Sequence, residues 1–531
     1  MSVSRETRTI TPGPSTPLQT PDVSVLSAGP VRVAEPVSPD TLTDLRLDHV
    51  LSSLSDAGKD SLMVELFTRP PGDADTVEYR QEVCSDLRDP AVRRAVATFR
   101  QGMGRIDERV RSAITSGPSE YHWQQRRRLA EAMADYTHLV QDLRARLDAV
   151  TLHSRGMSAV HAYLESYATS PEFEELIRST GEVINALDRV RFRISMEMGL
   201  IVVTPAEQEG TYNEQMAALF ERFQDDAVPR GEGGKQEKDP GITHVTAGIV
   251  AQAARMEPKP FTVLAEHCRQ NANFRDETLV RFAQEAGFYL AYLGEIAPLE
   301  EAGLAFCRPG ITVDGKRLEA RDSFDLALAL QVVAKGEDVV TNDAQLDGAE
   351  RVLVVTGPNQ GGKTTYARMI GQLHHLASIG LPVPGRDVEL PLVDRVLTHF
   401  ERVEGVGDPT GKLEEELVRM RRMLEIATPR SLVVLNEAFT STSLQDAREL
   451  GKRVLEKIIA TDMLAVYVTF VDELSRLGPA TVSLVSQTSH EDLNRRTFTV
   501  SRQHANGTAR ALALAARHGL TLPQLLERIP S

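Results

Sequence analysis

The chain has 531 residues, of which 41% are hydrophobic and 25% are charged, and its net charge at pH 7 is −15. The length suggests roughly three to four domains. The composition is that of a soluble globular protein, and no window approaches the run of about 18 apolar residues that a membrane helix needs. The acidic charge excludes a general nucleic-acid coat, whose affinity comes from clustered Lys and Arg, but it leaves room for a local basic patch.

The first forty residues and the cysteines carry little chemistry. Residues 1–40 contain seven of the 28 prolines and no apolar segment of the kind found in secretory signals, so they predict a disordered tail. Cys84, Cys268 and Cys307 lie far apart without a CxxC spacing. This pattern indicates neither a zinc site nor a disulfide framework, and it fits a reducing, cytoplasmic location.

Residues 41–305 predict a mainly α-helical region, because apolar residues recur there at three- and four-residue spacing. The clearest segments are DSLMVELF, AVRRAVATFRQGMGRIDERVRSAI, RRRLAEAMADYTHLVQDLRARLDAVTL and FEELIRSTGEVINALDRVRFRISMEM. Within the region, residues 228–241 are rich in Gly, Lys and Pro and predict an exposed loop or hinge.

Residues 306–531 predict a second region of α/β type. Strand-like segments begin after a Pro-Gly turn within residues 306–330, and short apolar strands alternate with helices after residue 350. Such alternation predicts a mostly parallel sheet with helices on its faces. The predicted strands of this sheet are VLVVT, SLVVL, LAVYVT, VSLVS and TFTVS.

A glycine-rich stretch, GPNQGGKT, follows the first of these strands and opens a predicted helix. It fits the phosphate-binding pattern G-x-x-x-x-G-K-[ST], in which backbone N–H groups and the helix N-terminus surround phosphate oxygens. Lys363 would reach the β- and γ-phosphates and Thr364 would bind Mg²⁺. The alternative, a glycine turn without a ligand, is disfavoured by the strand and helix on either side. The predicted nucleotide-binding residues are Gly357, Pro358, Asn359, Gln360, Gly361, Gly362, Lys363, Thr364 and Thr365.

The strand in LVVLNE ends in a polar residue and an acid, where a Walker B motif has Asp and then Glu. Here the pair is Asn436 and Glu437. Asn436 is predicted as a second metal ligand through its amide oxygen, although it brings no charge to a cation that favours carboxylates. Glu437 is predicted as the general base that activates water. The alternatives are a turn-bonding Asn436 and a solvated Glu437 at a strand end.

Three motifs together resemble those of the MutS family of DNA mismatch-repair ATPases. The family patterns GPNMGGKST, DEIGRGTS and THYFEL are matched by GPNQGGKTT, NEAFTSTS and TFVDEL. Residues 381–400 are similar to the segment between the first two motifs, and residues 75–87 and 339–348 resemble pieces of the family's core. The resemblance is strong over residues 351–529 and looser over residues 45–350.

The sequence departs from the family at several positions. The helical core starts within about 45 residues, so the mismatch-reading and connector domains are expected to be absent. The switch histidine of the third motif is replaced by Phe470. The serine that reaches across the family's dimer corresponds to Gly411, with Lys412 next to it, and the aromatic that packs on adenine falls near Val339.

The resemblance implies an α/β P-loop (ABC-type) ATPase domain over residues 306–531, preceded by a helical core and lever region over residues 41–305. It implies ATP and Mg²⁺ as ligands and a homodimer whose composite sites lie near its interface. The closing dimer helices would be GTARALALAARHG and LPQLLERI. DNA, if bound, would be recognised by structure and not by sequence.

Two other functions stay open. Loss of an Asp and a His from the motifs, together with the acidic charge, would suit a nucleotide-dependent switch or scaffold that acts through a protein partner with little hydrolysis. A small-molecule kinase is disfavoured by the FTSTS stretch and the long helical half. Residues Arg126 to Arg128, near Tyr121 and Trp123, predict a solvated helix face more than a DNA contact.

Overall fold

The structure is a computed structural model that describes residues 23–29, 35–54, 61–115, 121–197, 200–205, 244–401, 409–488, 496–504 and 520–528. The loop predicted over residues 228–241 and the predicted helix GTARALALAARHG lie outside these ranges. None of the helices in the described ranges has both the length and the apolar character to cross a membrane.

The described part of the chain before residue 302 is built mainly from helices, as the periodicity predicted. They are α1 (Pro39–Asp44), α2 (Leu47–Leu54), α3 (Ser61–Thr68), α4 (Ala74–Arg88), α5 (Pro90–Thr115), α6 (His122–Asp148), α7 (Arg155–Ala168), α8 (Pro171–Asp188), α9 (His244–Met256), α10 (Pro258–Gln270) and α11 (Glu277–Glu301). Side chains of Ser154, Ser170 and Asp276 cap the N-termini of α7, α8 and α11, which fixes where these helices begin.

The predicted fourth helix is too long, because α8 ends at Asp188 and the chain turns into a β-hairpin. Strands β1 (Phe192–Glu197) and β2 (Leu200–Pro205) pair antiparallel. Phe192, Ile194 and Met196 alternate with polar residues, which is the two-residue period of a strand and not the spacing of a helix. This alternation was available in the sequence and decides the local structure.

The tail predicted over residues 1–40 is not disordered throughout. Residues 23–29 lie against α4 and α11, and Val25 is fully buried. The carboxylate of Glu285 accepts hydrogen bonds from Val25 N and Ser24 Oγ at 2.9 Å each, and Tyr289 donates to the Val25 carbonyl at 2.7 Å. These buried partners satisfy the backbone of an extended segment that has no helix or sheet of its own.

The C-terminal region contains a six-stranded sheet in the order β10-β11-β12-β7-β13-β14. Its first five strands are parallel, and β14 runs antiparallel to β13, so the sheet is mixed. The strands are β7 (Val352–Thr356), β10 (Arg395–Phe400), β11 (Ser431–Asn436), β12 (Leu464–Val468), β13 (Thr481–Thr488) and β14 (Arg496–Arg502). The five strands predicted from their apolar segments all belong to it, and β10 lies within residues 381–400, which resemble a strand-containing segment of the MutS family.

Helices cover both faces of this sheet, as its apolar strands require. On one face, Leu353 and Val355 join a core cluster that continues into the helical half. On the other face, Val352 and Val354 join a second cluster. The helices of this region are α12 (Leu326–Val333), α13 (Lys363–Ser378), α14 (Pro409–Ile426), α15 (Leu444–Ala460) and α16 (Leu522–Arg528).

A second, four-stranded sheet has the order β4-β9-β5-β6, and β3 pairs with β8 beside it. Strand β6 of this sheet and helix α12 both contact α13. Gln372 of α13 fixes this arrangement, because its amide accepts from Leu326 N and donates to Asp325 at 2.7 Å each. The strands are β3 (Phe306–Cys307), β4 (Gly310–Thr312), β5 (Leu318–Ser323), β6 (Asn342–Leu346), β8 (Val383–Pro384) and β9 (Asp387–Pro391).

Candidate functional site

The glycine loop, residues 357–362, connects the buried strand β7 to the N-terminus of α13. Gly362 caps the helix with φ of 88°, a backbone conformation that favours glycine. A Cβ on Gly361 would lie 2.4 Å from Ser486 Oγ and 3.0 Å from the Pro358 carbonyl oxygen. The loop is therefore packed closely against β13, and its glycines allow the backbone itself to face the space above the helix.

Lys363, the first residue of α13, is only 5% exposed and bends back over the loop. Its Nζ donates to the carbonyl oxygens of Gly357 and Pro358 at 3.0 Å each and to Asn359 Oδ1 at 3.3 Å. The ammonium group also lies 3.9 Å from Glu437 Oε1. This positive charge is held at the centre of the loop, next to the helix N-terminus, where an anion is stabilised.

The predicted metal ligands meet above the ends of β7 and β11. Thr364 Oγ1 donates a hydrogen bond to Asn436 Oδ1 at 2.8 Å. Asn436 is the last residue of β11 and is 9% exposed, and Glu437 follows it with its side chain one-third exposed. The structure thus brings together Lys363, Thr364, Asn436 and Glu437, which the sequence assigned to one site.

The backbone after β11 is unusual. Glu437 and Phe439 have φ of 53° and 65°, a region that costs L-amino acids of the order of 1–3 kcal/mol each. The Glu416 carboxylate accepts from Phe439 N at 2.7 Å, and Glu401 accepts from Thr440 Oγ1 at 2.8 Å. Two acids from outside the loop therefore hold the turn that presents Glu437.

A cavity of about 580 Å³ adjoins the glycine loop. Glu437 and residues 359–365 line it, together with residues of α12, β6 and β14. Val339 also lines the cavity, and so does Phe498, whose side chain is half-exposed. The lining residues outside the glycine loop include the acids Asp325, Glu337 and Asp338 and the apolar residues Leu328, Val332, Val339, Met369 and Phe498.

Phe498 and Asn342 were missed by the sequence reasoning. The amide of Asn342 donates to the Phe498 carbonyl oxygen at 3.1 Å and accepts from Val500 N at 2.6 Å. These bonds fix Phe498 at the mouth of the cavity, where it supplies an aromatic ring that Val339 lacks. The signal was weak, because Phe498 is one apolar residue in a predicted strand far along the chain from the glycine loop.

Three residues at which the sequence departs from the family pattern, Phe470, Gly411 and Lys412, are not among the residues that line the cavity. The Phe470 side chain is half-exposed. Gly411 is exposed on α14, and Lys412 Nζ lies 3.4 Å from Glu401 Oε1. Lys412 is thus tied to the same acid that contacts Thr440.

The donor set at the site consists of hard oxygen atoms: the Thr364 hydroxyl, the Asn436 amide oxygen and the Glu437 carboxylate. Over the described ranges, no cluster of three or more His, Cys, Asp and Glu side chains could by itself hold a metal ion. A Mg²⁺ ion bound here would therefore take most of its ligands from phosphate oxygens and water, which is how this ion commonly binds in nucleotide sites.

The two adjacent histidines of α13 belong to the packed core. His374 and His375 of α13 are each 1% exposed, and burial lowers the pKa of each to about 4. Arg127 is paired with Glu131 and Asp188 on the surface of α6, as expected for a solvated helix face.

Part of the C-terminal region matches a known protein family. Residues 353–524 match the family model of MutS domain V. This segment runs from β7 into α16, so it contains the glycine loop, Asn436 and Glu437.

Curated relatives are similar to parts of the chain. The DNA mismatch repair protein MutS of Shouchella clausii is 33% identical over 150 residues, which are 28% of this chain and 17% of that protein. MutS 1 of Halobacterium salinarum is 29% identical over 255 residues, covering 46% of this chain and 28% of its own length. The msh3 protein of Aspergillus fumigatus is 35% identical over 144 residues, 27% of this chain and 13% of that protein. The chain thus matches less than a third of the length of each.

Proposed function

We propose that this chain, whose residues 353–524 match the family model of MutS domain V, belongs to the MutS family, binds ATP with Mg²⁺ and hydrolyses it slowly as a homodimer whose activity is linked to DNA. The domain at residues 306–531 is proposed to be a P-loop ATPase domain with dimerisation helices at its C-terminal end. Residues 41–305 are proposed to form the helical core and lever region.

One observation carries the proposal: the first two motifs meet at one cavity. Lys363, Thr364 and Glu437 all line this cavity, and Thr364 donates a hydrogen bond to Asn436. A cavity of about 580 Å³ falls within the range of small-molecule and cofactor pockets. Apolar lining residues such as Leu328, Val332 and Phe498 suit a purine base, and the glycine loop with Lys363 suits a polyphosphate.

Each residue has a distinct role in this proposal. Backbone N–H groups of residues 357–365 and the N-terminus of α13 bind the phosphate oxygens, and Lys363 exchanges its loop carbonyl partners for the β- and γ-phosphates. Glu437 orients a water molecule and accepts its proton as the water attacks the γ-phosphate. Bound Mg²⁺ would neutralise phosphate charge, and Thr364 and Asn436 are the residues that would hold it.

Slow turnover follows from the side chains at two positions. Asn436 supplies an amide oxygen where a carboxylate would add a negative charge beside the metal. Phe470 can neither donate nor accept a proton. Hydrolysis is thus left to Glu437 without the electrostatic support that an Asp and a His would give.

The same two positions favour the second candidate function. In that case the chain binds ATP, hydrolyses it little or not at all, and acts as a switch or scaffold through a protein partner. Two carboxylates hold the turn that carries Glu437, and this arrangement favours the hydrolytic function over the switch.

The experiment is to measure the ATPase rate with no DNA and with single-stranded, duplex and branched DNA, each in two unrelated sequences. We expect a slow basal rate that changes severalfold with the structure of the DNA and is the same for both sequences. An unchanged rate with every DNA would contradict the link to DNA. ATP binding without any turnover would instead favour the switch.

A further inference from the structure

An acid occupies a core-facing position of α14. Leu413, Met420 and Met423 of this helix pack into the core cluster beneath β7 and β11, and Glu416 lies on the same face at helical spacing. The Glu416 side chain is only 12% exposed. Carboxylates are rarely buried unless they are paired, so a charged residue at such a position calls for specific partners.

Glu416 has three partners from two different elements. Its Oε1 accepts from the backbone N–H of Phe439 at 2.7 Å and lies 3.3 Å from His399 Nε2, and its Oε2 lies 3.5 Å from Ser441 Oγ. His399 belongs to β10 and is almost completely buried. Burial acts to raise the pKa of Glu416, but the hydrogen bonds from His399 and Phe439 outweigh it and hold that pKa below its usual value.

The strongest of these contacts is made to a strained segment. Phe439 is 1% exposed and, like Glu437, has a positive φ. Strained backbone of this kind persists only where the surroundings hold it in place. A charge-assisted hydrogen bond to the Phe439 N–H is suited to that purpose, since such bonds are about twice as strong as neutral ones.

We propose that Glu416 is a positioning residue: by clamping the backbone of Phe439, it fixes the carboxylate of Glu437 in the position from which it activates the attacking water. This inference rests on the proposed function, in which Glu437 is the general base. Glu416 lies outside all three motifs and does not line the cavity, so it acts through the backbone and not on the nucleotide. Because it is carried by α14, a displacement of that helix would move Glu437 and change the rate of hydrolysis.

The test compares Glu416→Ala, Glu416→Gln and a control, Glu425→Ala. Glu425 lies on the same helix but is exposed and paired with Arg421. We expect Glu416→Ala to lower single-turnover hydrolysis of ATP by about tenfold or more while ATP affinity stays within about twofold, as for loss of positioning at a catalytic group. Glu416→Gln keeps an oxygen that accepts from Phe439 N and should retain more activity. Glu425→Ala should behave as the wild type.

A double variant separates positioning from a general structural role. If Glu416 acts only through Glu437, then Glu416→Ala should cause no further loss in the Glu437→Gln background. An equal loss in both backgrounds would overturn the proposal. So would wild-type hydrolysis by Glu416→Ala, or a loss of ATP affinity and thermal stability in step with the rate.

Hydrogen–deuterium exchange gives a readout that does not depend on hydrolysis. Glu416→Ala should accelerate exchange in the peptide spanning residues 437–441 and leave the glycine loop unchanged. If the wild type binds ATP without hydrolysing it, the proposed ATPase function fails, and this comparison still decides whether the clamp exists. Unchanged exchange in residues 437–441 would refute it.

Discussion

At the scale of single residues, Asn436 decides how the site should be understood. Its amide oxygen accepts from Thr364, so the residue is integrated into the contact between β11 and α13 and does not simply bond a turn. Lys363, Thr364 and Glu437 are in place around it. A site without function would be expected to lose some of these residues, and we therefore favour adaptation of the motif to Asn over decay.

Asn436→Asp is predicted to raise the ATPase rate, because a carboxylate adds the negative charge that a hard dication prefers. Phe470→His alone should change little, since a switch residue acts only once metal and water are in place. The double variant should gain more than the sum of the two. The measurement is steady-state phosphate release at saturating Mg²⁺.

The opposite outcome would be equally informative. If Asn436→Asp is inert or lowers the rate, the site is tuned around Asn436. Nucleotide affinity measured in parallel serves as the control, because the substitution leaves the glycine loop and Lys363 in place.

At the scale of elements, the sequence predicted helices and strands best where the apolar residues followed a single pattern without interruption. The apolar runs of β7, β11 and β12 are buried on both faces, so their composition alone indicated central strands. The hairpin of β1 and β2 was missed because the alternation at Phe192 directly follows the helical period of α8. Residues 23–29 were missed because their order depends on tertiary partners such as Glu285.

For the candidate site, the sequence identified the residues that motifs make recognisable and missed those that only the fold brings near. Lys363, Thr364, Asn436 and Glu437 each follow a strand in a known pattern. Glu416 and Phe498 lie 60 and 142 residues after Thr356, the last residue of β7, and nothing local in the sequence marks their proximity to the site. An acid on the apolar stripe of α14 was the one available sign.

Helix α13 also makes the stability of the protein depend on pH. Burial lowers the pKa of His374 and His375 to about 4, whereas an unfolded histidine titrates near 6.5. The unfolded chain therefore binds more protons between these values, and the free energy of unfolding falls as the pH drops through this window. The loss amounts to about 3 kcal/mol per histidine when the drop is complete.

His374→Leu is predicted to reduce this dependence. Denaturant unfolding of the wild type at pH 7 and pH 5 should reveal a loss of stability at the lower pH, of the order of 2 kcal/mol per buried histidine. The variant should lose less between the same two values. The exposed His49→Leu is the matched control and should follow the wild type. An identical loss in His374→Leu would contradict the assignment.

At the scale of the whole molecule, one apolar core links the helical half to the candidate site. The cluster that contains Leu353 and Ile370 also contains Phe67 and Tyr292 from the helices before residue 302. Arg80 adds a polar link, because its guanidinium donates to the carbonyl oxygens of Leu26 and Ile379. The candidate site and the helices before residue 302 are therefore joined by continuous packing.

The proposed homodimer gives a prediction for α16. Leu522 and Leu526 lie four residues apart on this helix and are 71% and 66% exposed, as expected for a face that a second copy covers. Changing both to Asp should shift the protein from dimer toward monomer in sedimentation velocity. Leu444→Asp is the control, because Leu444 is comparably exposed on α15. Dimers of unchanged stability in the double variant would exclude α16 from the interface.

The most direct test of the central claim is phosphate release at saturating ATP and Mg²⁺ by the wild type, Lys363→Ala and Glu437→Gln, with ATP binding measured on the same samples. The wild type should bind ATP and release phosphate slowly. Lys363→Ala should lose binding, since Lys363 provides the positive charge of the glycine loop, and Glu437→Gln should bind normally but turn over about 10²-fold more slowly. Unchanged ATP affinity in Lys363→Ala, or an unchanged rate in Glu437→Gln, would contradict the account.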